Sequence, residues 1–122
     1  MIRPWQDIGA YYRELVVNGL PFQAMVSLVE QIEASRYAGG VHGETSMHDL
    51  LVTQLARGSF PDGPHLRISP RIDGTIEFRY IDTYVQARQW HRVVNGDDAF
   101  SRLVGFFDQL HWFAAVRPNG DR

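Results

Sequence analysis

"HLRISPRIDGTIEFRYI", residues 65–81, decides the fold. "HLRIS" alternates apolar and polar residues, and so does "TIEFRYI". In the second run Ile76, Phe78 and Tyr80 share one face, and Glu77, Arg79 and Ile81 the other. Asp73-Gly74 lies between them, the strongest short hairpin signal a sequence offers. Pro70 cannot donate to a ladder, which places it at an edge or a bulge.

Outward from this hairpin, "VQARQWHRVV" at 85–94 is expected to form a further strand. "NGDDAFSRLVGFFDQLHWF" then returns to helix, beginning at Asp97 or Asp98, with Phe100, Leu103, Val104, Phe107 and Leu110 as its buried stripe. Phe106 and Trp112 fall off that stripe, which fits either a helix buried on a wide face or aromatics waiting for a partner. Residues 47–57, "MHDLLVTQLAR", fit a helix by capping and spacing, ending at Gly58. They fit a short strand equally well. We favour the strand, which would pair with the hairpin that follows.

Upstream, residues 4–18 read as a helix. Pro4 suits its first position, Ile8, Tyr11, Tyr12, Leu15 and Val16 form one stripe, and Gly19 stops it. A second helix starts near Pro21, with Phe22, Met25, Val26, Val29 and Ile32 inward, and ends before Gly39-Gly40. The short "NGLP" link makes the two a helical hairpin. The order is α-α-β-β-β-β-α: an α+β fold in which an antiparallel sheet is packed by an N-terminal helical hairpin and a C-terminal helix. With 122 residues the chain fills a single domain, 1–122, and the polar 117–122 is expected to fray.

Composition excludes several chemistries. There is no cysteine, so disulfides, thiolate catalysis and cysteine-bound zinc are out. All 12 basic residues are arginine, which removes Schiff-base lysines and the phosphate-loop lysine. The net charge of −2 gives no global field for nucleic acid or anionic membranes. Neither a signal-peptide layout nor an apolar run of about 18 residues occurs, so no membrane partner and a cytoplasmic location are expected.

"YAGGVHGETSMHD", 37–49, gathers His42, Glu44, His48 and Asp49. Three glycines loosen it, and its histidine spacing is not that of a helical zinc site. It reads as a polar connecting loop, with no metal or other cofactor expected. His65 and His91 lie in expected strands. With an arginine they could serve a small hydrolase or nuclease by general acid–base chemistry. A small-molecule or RNA-binding sheet is a further alternative.

Charge is unevenly spread. Residues 65–94 carry Arg67, Arg71, Arg79, Arg88 and Arg92 against Asp73, Glu77 and Asp82; residues 1–35 carry Arg3 and Arg13 against Asp7, Glu14, Glu30 and Glu33. In "RQWHR" Arg88, Trp90 and Arg92 share a strand face. If Arg67 and Arg79 join them, Arg67, Arg79, Arg88, Trp90 and Arg92 form an arginine-rich face around a tryptophan, the residue types most enriched at binding hot spots. This set is the expected partner-binding surface; if instead Trp90 points to the core, the arginines snorkel at its edge. No catalytic residue is assigned. A bare sheet edge or the unassigned aromatics could also be buried in a homodimer.

The runs "YAGGVHGETSMHDLLVTQ", "LRISPRIDGTIEFRYIDT" and "RQWHRVV", with the closing "FDQLHWF", resemble small uncharacterised bacterial proteins of the toxin-immunity type over about residues 35 to 113. The resemblance carries over no functional residue. It implies a non-enzymatic protein that neutralises a protein partner, a toxin, by occlusion.

Overall fold

A computed structural model describes residues 2–54 and 63–113. Pro4, extended and lacking an N–H, leads into helix α1 (Trp5–Val17), where the first turn has no use for one. Ile8 and Tyr12 are fully buried one turn apart, and Tyr11, Leu15 and Val16 pack at the margins of the same stripe. Gly19 ends the helix at φ +100°. There its N–H bonds the Val16 carbonyl while that of Leu20 bonds Leu15, the paired closure a left-handed residue allows. Helix α2 (Gln23–Ala34) follows and packs on α1, with all five expected inward residues and Leu28 buried.

The described residues contain five strands: β1 (His42–Ser46), β2 (Asp49–Thr53), β3 (His65–Pro70), β4 (Thr75–Ile81) and β5 (Trp90–Asn95). They pair in sequence order, each antiparallel to the next. Helix α3 (Ala99–Leu110) closes the fold, giving the expected α+β architecture with one strand more. The Asp73-Gly74 hairpin stands as read. Gly74 takes φ +88°, and the Asp73 carboxylate accepts from the Thr75 N–H and hydroxyl. Pro70 is the last residue of β3, beyond the strand pairing that links β2 to Leu66 and Ile68, so its missing N–H breaks no bond to β2.

Three boundaries differ from expectation. The supposed loop at 37–49 holds β1 and a two-residue turn into β2. Gly43 does not loosen it; it lets α1 lie on the strand. A Cβ there would sit 2.7 Å from Ile8 Cδ1 and 2.8 Å from the Trp5 ring. Within 85–94, Gln86–Arg88 form a 3-10 turn, and the strand starts only at Trp90. Of the ambiguous 47–57, residues 49–53 are strand, while 55–57, Gly58 and the tail at 117–122 lie outside the described residues.

One face of the sheet, with Leu50, Val52, Leu66, Ile68, Ile76, Phe78 and Val94, meets the three helices in a single apolar cluster. Helix α3 is buried on a wide face. Phe106, off the expected stripe, stacks edge-on against Phe78 (4.9 Å) and Trp90 (4.7 Å), and Trp112 lies on Phe107. The helix sits between α2 and β5, so two of its sides are covered. No helix among the described residues is long and apolar enough to cross a membrane.

Met47, in the β1–β2 turn, takes φ +57° with its side chain in solvent. A left-handed methionine costs about 1–2 kcal/mol that glycine avoids, less glycine's own entropy. Met47→Gly is expected to raise stability by about 0.5–1 kcal/mol in urea unfolding. A loss of stability would mean the turn does not hold this conformation.

Candidate functional site

Alternation along the strands leaves the second face of the sheet to polar side chains. The register builds one row straight across it: Glu44, Leu51, Arg67, Arg79 and His91. A neighbouring row runs His42, Thr53, His65 and Ile81. The helices pack on the opposite face.

Arg67 and Arg79 stand directly opposite each other on β3 and β4. Like charges so placed repel. Only one is neutralised: Arg67 Nε donates to Asp49 Oδ2 at 2.6 Å. The Arg79 Nε is buried without a hydrogen-bond partner, and among the described residues no carboxylate pairs with its guanidinium. The nearby Glu77 faces the His91 Nδ1 at 3.7 Å. His65, 4% exposed, is pushed down to about 4 by burial, with Arg67 adding to the shift and Glu44 opposing it. Its imidazole is therefore neutral at pH 7.

Over this floor of His65, Arg67 and Arg79 stands the β4–β5 connection, contributing Tyr84, Gln86 and Gln89 to a groove of about 430 Å³. The connection is tied to itself. Gln89 donates to the Thr83 carbonyl at 2.9 Å, and the Val85 N–H to the Thr83 hydroxyl at 3.1 Å. No protein-family model, curated protein or solved structure matches the chain. Its chemistry rests on this geometry.

The structure divides the five residues expected to share a face. Arg67 and Arg79 are together on the side away from the helices. Arg88 lies in the 3-10 turn, off the sheet and exposed. Trp90 and Arg92 point to the helix side, opposite Tyr80 and Phe78. Trp90, 37% exposed, closes the edge of the core against Phe106, and the Arg92 guanidinium lies 5.6 Å from its ring. The single expected patch is two surfaces, because the irregular connection before Trp90 resets the alternation.

His65 and His91 share the face away from the helices but lie two strands apart in different rows, their backbones separated by roughly 12 Å. That spacing offers no joint acid–base position through a single bridging water. His42 and Glu44 lie on β1, while His48 turns away to pack edge-on against Phe22. Among the described residues no three His, Asp or Glu side chains gather as metal ligands. Sequence reasoning placed Asp49 in a polar connecting loop, and it passed over Tyr84, Gln86 and Gln89, which lay within or beside an expected strand. Only the strand register reveals that Asp49 reaches Arg67.

Proposed function

We propose that this chain is a non-enzymatic, cytoplasmic binding protein that neutralises a protein toxin by covering its working surface. The observation that carries this reading is the sheet face turned away from the helices, with its unneutralised Arg79 beside the Arg67–Asp49 pair. A charged, rigid, strand-built face suits capture and alignment of an oppositely charged partner. The same face supports catalysis poorly. Thr53, opposite His65, is 1% exposed and closed to a substrate. Ser69 lies four residues along β3 from His65, roughly 13 Å away.

The test uses tagged wild-type chain and an Arg67→Glu/Arg79→Glu variant as baits in extract of the source organism. Wild type is expected to enrich one partner that is toxic when expressed alone and harmless when this chain is co-expressed. The double variant should bind that partner at least 30-fold more weakly. Arg71→Glu, at the hairpin tip, should bind within about threefold of wild type. Undiminished binding by the double variant, or a partner without toxicity, would remove the proposal.

A further inference from the structure

We infer that the groove over Arg79 is a carboxylate-binding pocket, which in the proposed complex takes an Asp or Glu side chain of the partner. The partner clause rests on the functional reading above; the pocket itself does not. Charge counting leads to it. Arg67 is neutralised by Asp49 at 2.6 Å, so among the described residues the groove floor keeps one positive charge, on Arg79. That charge stands opposite a second guanidinium and has a buried Nε with no acceptor. The like-charge placement is costly in the free protein and is relieved by an anion beside the guanidinium.

The chemistry of the floor selects the anion. A single spare guanidinium matches a monoanion, and its planar fork matches a carboxylate. Glu77 stands on the same face two residues along β4, so a phosphate dianion would meet more repulsion there than a monoanion. Among the described residues the wall adds polar groups without adding charge: Gln86 and Gln89 carry amides and Tyr84 a phenol. A groove of about 430 Å³, open to solvent, admits a side chain from a surface laid across the sheet.

The experiment needs no partner, so its failure is separate from failure of the capture assay. The ¹⁵N-labelled full chain is titrated with acetate, inorganic phosphate and chloride at matched ionic strength and pH 7, reading the Arg79 Nε–H and the His65 ring. Acetate is expected to move the Arg79 signal saturably, with a dissociation constant on the order of 10 mM. Chloride should produce no saturable shift, and phosphate should bind more weakly than acetate. Arg79→Gln should abolish the response at His65. Arg79→Lys, which keeps charge and loses the fork, should weaken it at least threefold and serves if the Gln variant does not fold. A static Arg79 signal, an equal response to chloride, tighter binding of phosphate, or a His65 response that survives in Arg79→Gln would overturn the pocket.

Discussion

Phe78→Ala will lower the unfolding free energy by about 3–5 kcal/mol, read from urea melts at pH 7. Phe78 is fully buried at the middle of β4. It faces Ile68 on β3 and Arg92 on β5, and Phe106 stacks on it at 4.9 Å and 62°. Ladders on both sides hold its backbone, so the sheet cannot close around a missing ring, and the cavity term adds to the lost transfer energy. Domains of this size hold only about 5–15 kcal/mol in total, so the variant will stand close to unfolding. Trp90→Ala, in the same aromatic row but 37% exposed, will cost half as much or less. Equal losses for the two would show that Phe78 is not the centre of the core.

Acid will produce the second large effect. Native His65 is held at about 4 by burial and by the adjoining Arg67 charge, whereas the unfolded chain titrates near the ordinary 6.5. Between these values the unfolded state takes up a proton that the native state refuses. The His65 contribution is therefore fully present above pH 6.5, falls as pH drops from 6.5 towards 4, and changes no further below that. Its loss amounts to about 2–3 kcal/mol. Asp73 acts lower: the Thr75 hydroxyl and N–H hold its carboxyl below the ordinary range, so it titrates beneath this window. Stability measured at intervals from pH 7 to 4 should show the decline, and His65→Gln should flatten it. An unchanged slope in that variant would assign the effect elsewhere.

Where apolar residues mark a period, the fold was legible from sequence. The β3–β4 hairpin and the faces of α1 and α2 follow from side chains alone. Strand β1 was not legible, because two of its positions, Gly43 and Thr45, pair with the core residues Val52 and Leu50 and yet are not large and apolar. At Gly43 the bulk is supplied instead by Trp5 and Ile8 from α1. A strand whose apolar half comes from elsewhere in the chain shows no alternation. The site was half legible. Arg67 and Arg79 each fall on the polar side of a clear strand pattern. The phase of β5 depends on what happens between Asp82 and Gln89, where a 3-10 turn intervenes, and no periodicity counts through it. That lost phase left open which side of the sheet Trp90 and Arg92 take.

Because each strand is bonded only to those beside it in sequence, the sheet can zip outward from the Asp73-Gly74 turn, closing one short loop at a time. During synthesis that order has a hazard. Until Ala99–Leu110 has left the ribosome, a finished sheet carries Phe78 without Phe106, the ring that stacks on it. Nascent chains halted before Ala99 should therefore be sticky, and release of the last helix should be the step that makes the newborn protein safe from its neighbours.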